Sequence, residues 1–359
     1  MAIFCDYLHL SQHHPSNVTV KPLTDGVVVK LDAGGEIVFQ TEAFKEQEGS
    51  HDTKLRIRAW NNKVEMRGNV GRYGRPDNVF GYKFSECIAK ANRILQEHDL
   101  PPFTAGDPYM RERKDGPPVV VWTGARVSRI DMTQNFATGS EQAAGDAIMY
   151  FGGIQPTRAM SRAYGKECIT YGEGSEYTYG KVYDKYQEML THKKKAPPPP
   201  DLLEWVRSNG IIRGEWELKY HFLEQQRINY LGGLMGVRKV DKAESGGVGW
   251  VADGRIQDHV LEGHFRKYTR FMREAKMDVD VKMDLPGHLI GTYFAWREGY
   301  DMRERLSVPT FYRHRAALRR LVGIDIAVAY NVKRFPIQMR TVTLSPAVVP
   351  DWYALPLAA

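Results

Sequence analysis

Three segments of this 359-residue chain alternate polar and apolar residues with a period of two, the mark of strands with one polar and one apolar face. In Ser128-Arg129-Ile130-Asp131-Met132-Thr133, the residues Arg129, Asp131, Thr133 and Asn135 share one face, and Ile130 and Met132 take the other. The second segment runs from Tyr171 to Lys185 and sets Tyr177, Tyr179, Lys181, Tyr183 and Lys185 on one face. In the third, Ile211 to Lys219, the charged Arg213, Glu215, Glu217 and Lys219 lie opposite Trp216 and Leu218.

Each segment admits a plain structural reading: an Arg129–Asp131 salt bridge, an aromatic ladder of tyrosines, and a solvated charged strand face. Together they admit a chemical one. A carboxylate on a polar strand face beside hydroxyl and amide groups suits a hard divalent cation. A tyrosine hydroxyl can attack a DNA phosphate and keep the broken strand attached, storing the bond energy for religation. With an ordinary pKa of about 10, that hydroxyl needs a cation, a metal or a lysine to lower it. Lys185, two residues after Tyr183, is placed to do so or to neutralise the phosphate. If the third face meets Asp131 and Tyr183, carboxylates for Mg²⁺ or Mn²⁺ and cations for a scissile phosphate come together.

The surrounding pattern predicts an α+β protein. Val27–Leu31 and Glu36–Phe39 flank the turn Asp32-Ala33-Gly34-Gly35, and Lys54–Ala59 and Lys63–Arg67 flank Asn61-Asn62, giving two hairpins. Helical spacing follows from about Phe80 to His98, then a strand over about 126–136, a helix from Ser140 to about Tyr150, and a strand pair over about 167–183. A charged helix is expected to run on to His192. Lys193-Lys194-Lys195-Ala196 and four prolines, Pro197 to Pro200, then read as an exposed semi-rigid connection. Beyond Leu223 the pattern is mainly helical.

Composition narrows the partners. The formal net charge of +7 is compatible with nucleic acid. Three scattered cysteines suit a reducing compartment and form no zinc pattern. No eighteen-residue apolar run occurs, so a membrane span is not expected, and the first residues do not read as a secretory signal.

The combination of segments resembles the replication initiators of filamentous phages, the gene II protein family, and in particular the branch of the cholera-toxin phage and its relatives. The family's Ser-Arg-Ile-Asp strand matches Ser128 to Asp131. Its Glu-x-Ser and Tyr-x-Lys-x-x-Glu elements match Glu173, Ser175, Tyr183, Lys185 and Glu188. Its Arg-x-Glu-x-x-x-Lys strand matches Arg213, Glu215 and Lys219, with further likeness at Asn78-Val79-Phe80-Gly81 and Pro350-Asp351-Trp352-Tyr353. The resemblance implies a rolling-circle initiator that nicks and religates one strand of double- or single-stranded origin DNA in the host bacterial cytoplasm, joined by a host helicase and polymerase. It selects Tyr183 as nucleophile with Lys185 beside it. It points to Asp131 and Glu215, then Glu173, as ligands of Mg²⁺ or Mn²⁺, and to Arg129, Arg213 and Lys219 as DNA contacts. Two histidines flanking one apolar residue, the metal-binding pair of other initiators, are absent here as they are in this family.

Near the C-terminus, Leu289, Tyr293, Phe294 and Trp296 give a helix ending near Gly299. Ser307-Val308-Pro309-Thr310 opens a second helix to about Leu321, carrying Arg313, His314, Arg315, Arg319 and Arg320. An Ile324–Val328 strand is expected after Gly323. Helix, turn, basic helix and strand suggest a helix-turn-helix or winged-helix element reading an origin through Arg313, Arg315 and Arg319; an ordinary packing helix with a basic outer face is the alternative. The expected organisation is an antiparallel-sheet nicking domain over 1–225 and a mainly helical DNA-binding region over 226–359. Two rivals remain: a metal nuclease whose nucleophile is water, and an origin-binding regulator without strand chemistry.

Overall fold

Turn chemistry builds the first hairpins. Asp32 Oδ1 accepts the Gly34 and Glu36 backbone N–H groups at 2.9 and 3.0 Å, closing the turn between Val27–Leu31 and Ile37–Glu42. Asn61 and Asn62 both hold positive φ (46° and 57°), the conformation a two-residue turn needs to join Thr53–Trp60 to Lys63–Gly68. The structure, a computed structural model, describes residues 3–154, 156, 161–165, 167–191, 197–243, 247–280, 285–322, 324–330 and 339–356.

The second of these hairpins belongs to a ten-stranded sheet. From one edge its order is Ser161–Tyr164, Cys168–Tyr171, Thr178–Asp184, Ile211–Lys219, Arg126–Ala137, Phe4–His13, Lys63–Gly68, Thr53–Trp60 and Lys45–Gly49. Ser345–Pro346 adds to the Arg126–Ala137 strand, and every pairing is antiparallel. All three alternating segments of the sequence thus lie on adjoining strands.

Their apolar face makes the core. Trp216, 1% exposed, stacks between the rings of Tyr171 (5.6 Å) and Tyr268 (5.7 Å), with Phe271 meeting its edge. Gly180 lies opposite Trp216 in the ladder, and a Cβ there would overlap the indole ring. Helix Glu141–Gly152, capped by the Ser140 side chain on Ala143 N–H, buries Ala144, Ala147, Ile148 and Phe151, and Phe151 packs edge-on against Phe271. Trp216→Ala is therefore expected to cost about 3–5 kcal/mol and Gly180→Ala about 1–3 kcal/mol. In the double variant the new methyl occupies part of the vacated space, so its loss should fall short of the sum of the two. Urea unfolding of the three proteins checks this; strict additivity would mean that the two positions do not touch.

The proline run differs from its expected role as a plain connection. Pro200 is the first residue of a helix, Pro200–Ser208, that buries Leu202 and Val206. A proline is comfortable there because the first-turn N–H has no helical partner anyway. Residues 193–196 lie outside the described residues.

The chain divides into two compact units, 1–274 with 344–359, and 275–343. Residue 225, the expected functional boundary, ends the short helix Tyr220–Gln225 inside the larger unit. The segment beyond it contains a strand pair, Met235–Lys239 with Trp250–Ile256, as well as helices. The last stretch of the larger unit returns to its start: the Tyr353 hydroxyl accepts from Arg75 (2.6 Å) and donates to Asp77 (2.8 Å).

The smaller unit contains helices Gly287–Arg297, Met302–Arg305 and Val308–Val322 around Leu289, Tyr293, Trp296, Phe311 and Leu318. It differs from the expected helix-turn-helix arrangement. A short third helix separates the two long ones, and residues 324–328 form turns instead of a strand, with Ile324 and Ile326 buried in the same core. The strand pair of this unit is Lys276–Asp280 with Met339–Thr343. Gly323 is outside the described residues. Arg313 and Arg319 are exposed on the basic helix, whereas Arg315 donates through Nε and Nη2 to the two Asp325 carboxylate oxygens (2.6 and 2.8 Å). Among the described residues no helix is long and apolar enough to cross a membrane.

Candidate active site

Register brings the three polar faces together. Tyr183 pairs with Arg213 and Arg213 with Asn135; Lys181 pairs with Glu215 and Glu215 with Thr133. Tyr179 pairs with Glu217 and Glu217 with Asp131; Lys219 pairs with Arg129. Residues directly opposite one another point to the same side of a sheet, so these four rungs form one polar surface.

The next strand adds a residue that alternation does not reveal. Cys5 pairs with Met132 and Tyr7 with Asp131, so Asp6 is an extra residue, a β-bulge, on the Phe4–His13 strand. The bulge brings Asp6 to a cavity of about 390 Å³ that Asn78, Lys181, Tyr183, Glu188 and Glu215 also line. Asp6 Oδ1 accepts from Asn69 (2.8 Å) and from Asn78 (3.5 Å).

The charged face of Ile211–Lys219 is not solvated, contrary to the plain reading of its four charges. Arg213 is fully buried, and Glu215 and Glu217 are 8% and 6% exposed. Arg213 donates to Asn135 Oδ1 (2.8 Å) and to the carbonyls of Asn78 (2.7 Å) and Val79 (2.9 Å). Its Nη1 has no hydrogen-bond partner, nor has the Thr133 hydroxyl, which is equally buried. Orphaned donors of this kind are rare and call for a bound group.

Tyr183 donates its hydroxyl to Glu215 Oε2 at 3.3 Å. Burial first, and then the Glu215 carboxylate, push its pKa well above that of an ordinary tyrosine, while Arg213 pulls the other way. Burial and the neighbouring Asp6 in turn raise Glu215, which makes it a stronger proton acceptor. Glu65, further along the same sheet, behaves differently: burial opposes its ionisation, but His9, Lys63 and Arg58 together bring it down to about 2.

The remaining expected site residues divide. Arg129 closes on Asp131 with both arms (2.7 and 2.6 Å) and also reaches Glu217 (2.8 Å). Burial, opposed by that fork, raises Asp131 to about 7. Lys219 donates to the Ser175 carbonyl (2.7 Å). Glu173 stands apart at the surface, held by Thr170 (2.8 Å), Arg162 (3.2 Å) and the Tyr164 hydroxyl. Of the four tyrosines, Tyr171 is in the core beneath Trp216, Tyr177 is half exposed, and Tyr179 lies over Lys181. Tyr183 alone of the four lines the cavity.

Lys185 is not on the strand face where alternation puts it. The strand ends at Asp184, whose carboxylate accepts the Tyr186 and Gln187 N–H groups and so opens the helix Lys185–Thr191. Lys185 is buried instead against Asn78 (2.9 Å) and Glu188. Burial lowers it from an ordinary lysine value to about 8. Its folded pKa is depressed, so the cost of holding it charged is present in full below pH 8 and is relieved as pH rises towards 10.5. Lys185→Met removes that cost but also takes the donor from Asn78 and Glu188, so the variant is expected to compare best with the wild type near pH 7, and any gain should shrink between about pH 8 and 10.5. Denaturant titrations across that range check the sign; a gain that grew with pH would contradict it.

The expected metal ligands Asp131, Glu215 and Glu173 do not gather as a set, and among the described residues no three His, Cys, Asp or Glu side chains come together as a metal site. Asp131 has both oxygens in the Arg129 fork. Among the carboxylates that line the cavity, Glu215 and Asp6 are hard-oxygen donors on the two strands that flank the strand of the orphaned Thr133 hydroxyl, and Glu215 pairs directly with Thr133. They fit a Mg²⁺-type ion, which is usually held by one or two carboxylates together with water and substrate phosphate.

Comparison with known proteins gives the family of the chain that carries this surface. The family model for the N-terminal region of the phage replication-associated protein, the gene II product, matches residues 5–235, a span that holds every residue of the site from Asp6 to Lys219. The chain belongs to the gene II replication-associated protein family. The model for the C-terminal region of the same protein matches residues 283–358, which include the basic helix and Tyr353. The replication-associated protein of Escherichia phage If1 is 28% identical over 331 residues, covering 82% of this chain and 95% of the relative. Its counterpart from Enterobacteria phage I2-2 is 26% identical over 201 residues, covering 55% and 53%. Both terminal models and both relatives thus support a filamentous-phage replication initiator.

Proposed function

We propose that this initiator nicks one strand of the phage origin with Tyr183 and later religates it. The observation that carries the reading is the Tyr183 hydroxyl at the cavity, hydrogen-bonded to the Glu215 carboxylate. Glu215 takes the phenolic proton as Tyr183 Oη attacks the scissile phosphorus. A 5′-phosphotyrosyl bond forms as the bond to the 3′ oxygen breaks, and that oxygen leaves as a 3′-OH after taking a proton from solvent water. Religation runs the same exchange backwards with the new 3′-OH as nucleophile.

Arg213 Nη1 is the donor nearest in register to Tyr183 with no partner of its own, and it stabilises charge on the phosphate. Lys181, 3.6 Å from Glu215, adds positive charge at the cavity wall. A divalent cation held by Glu215 would withdraw charge from the phosphate oxygens. Lys185 acts from beneath the cavity by holding Asn78 and Glu188 in place, and Arg129 and Lys219 extend the cationic surface for the strand. The exposed Arg313 and Arg319 serve the origin duplex, with the host helicase and polymerase acting in the same bacterial cytoplasm.

The test uses supercoiled plasmid carrying the cognate origin with Mg²⁺ or Mn²⁺. After nuclease digestion, a nucleotide-bearing peptide containing Tyr183 is expected by mass spectrometry. Nicked product without any adduct would replace this reading by a water-using nuclease, and binding without nicking would replace it by an origin-binding regulator.

A further inference from the structure

We infer that Asp6, brought to the cavity by the β-bulge, is a ligand of the divalent cation together with Glu215, and that Asp131 is not. The inference rests on the strand-nicking reading for its chemistry, but its geometry is independent of Tyr183.

Adjacent strands lie about 4.8 Å apart, and the strands of Asp6 and Glu215 flank that of Thr133 on either side. Thr133 pairs directly with Glu215 on one side and with Phe4 on the other, and Asp6 follows between the Phe4 and Tyr7 rungs. Both carboxylates line the same cavity, and between their strands sits a fully buried hydroxyl with no partner. A second orphaned group, Arg213 Nη1, sits one rung away and feels the charge of both Asp6 and Glu215. A buried hydroxyl, two carboxylates and an unpaired guanidinium N–H are the complement of a cation with a phosphate bound to it.

Asp6 also has coordination capacity to spare. Asn69 and Asn78 both bind its Oδ1, and their amides fix the carboxylate as supporting hydrogen bonds fix metal ligands elsewhere. Asp131, by contrast, would have to give up a bidentate guanidinium to take a metal. Its place is to hold Arg129.

The measurement is Mn²⁺ binding to the full chain without DNA, followed by electron paramagnetic resonance of the free ion. Asp6→Asn and Glu215→Gln are expected to weaken binding at least about tenfold, while Asp131→Asn binds as wild type does. Unchanged binding by Asp6→Asn, loss of binding by a folded Asp131→Asn, or no Mn²⁺ binding by the wild type would each overturn the inference. A second measurement needs no variant to fold: the wild type is treated with Fe²⁺, ascorbate and hydrogen peroxide. Backbone cleavage is expected in the 4–7 and 213–215 segments, and cleavage confined to 129–131 would overturn the assignment. Neither readout needs Tyr183 to be the nucleophile, so failure here leaves the phosphotyrosine experiment standing, and the reverse holds too.

Discussion

Tyr183→Phe is expected to abolish the covalent protein–DNA adduct and to lower origin nicking by more than about a thousandfold, because the attacking oxygen is gone and no neighbour can replace it. Tyr171 is sealed under Trp216 with its hydroxyl on the Phe151 carbonyl, and Tyr177 and Tyr179 do not line the cavity. Stability should move by no more than about 1 kcal/mol, since the single bond lost is long, at 3.3 Å, and leaves a carboxylate that Lys181 still faces. The comparison is made on a denaturing gel with labelled origin DNA, beside a urea titration of each protein. Adduct at wild-type level in the variant would sink Tyr183 as nucleophile. Residual nicking without adduct would reveal water entering the same site. Glu215→Gln supplies the second arm: the phenol keeps a hydrogen-bond partner but loses its proton acceptor, so adduct formation should slow while Tyr183 stays in place. A metal-ligand role for Glu215 would slow it as well, and the pH dependence separates the two. Loss of a general base is offset as pH rises towards the phenol's own ionisation, whereas loss of a metal ligand is offset by added Mn²⁺.

Arg213→Ala is expected to be among the most destabilising substitutions in the larger unit, costing about 3–5 kcal/mol. The guanidinium is fully buried and ties the Arg126–Ala137 strand, through Asn135, to the Asn78–Val79 loop. Alanine would take the donor from the buried Asn135 amide oxygen and from the Asn78 carbonyl, and would leave the Val79 carbonyl with the Asn135 amide alone. It would also remove the positive charge that balances Glu215, Glu188 and Asp6. Arg213→Lys separates charge from geometry. It restores the charge but cannot span three acceptors in different directions, so about half the loss should remain. Denaturant unfolding measures both; a cost below about 1 kcal/mol for alanine would mean that the loop is held by other contacts. Nicking should fall further than stability explains, since the same residue carries the orphaned N–H beside Tyr183.

Much of the architecture was legible because local chemistry and tertiary structure agree. Asn61-Asn62 can take positive φ, so the turn is written in two residues. Ser140 before an alanine-rich stretch is a helix start, and the structure uses it as one. The alternating segments became strands in the expected places. Legibility failed where a short local signal was outvoted. Lys185 continues the period-two pattern on paper, yet Asp184 can cap a helix, and the chain turns there. The prolines looked like a pure connection, yet the last of them is well placed in a helical first turn. Ile324 to Val328 has the composition of a strand, but two of its side chains are drawn into the small unit's core and the backbone turns to reach it.

For the site the division is sharper. Period-two alternation by itself determined which side chains share a face, because successive residues of a strand must point to opposite sides. It therefore isolated Asp131, Tyr183, Arg213 and Glu215 as members of polar faces, and the resemblance to the gene II family then singled out Tyr183 among the tyrosines. Only the tertiary structure decided which rungs meet, since register depends on how strands from distant parts of the chain align. It also decided that Asp131 is taken up by Arg129 and that the charged face is buried. Asp6 needed both: a bulge breaks the alternation that sequence reading relies on, so its position follows from the pairing of Cys5 and Tyr7 with Met132 and Asp131 and from nothing local.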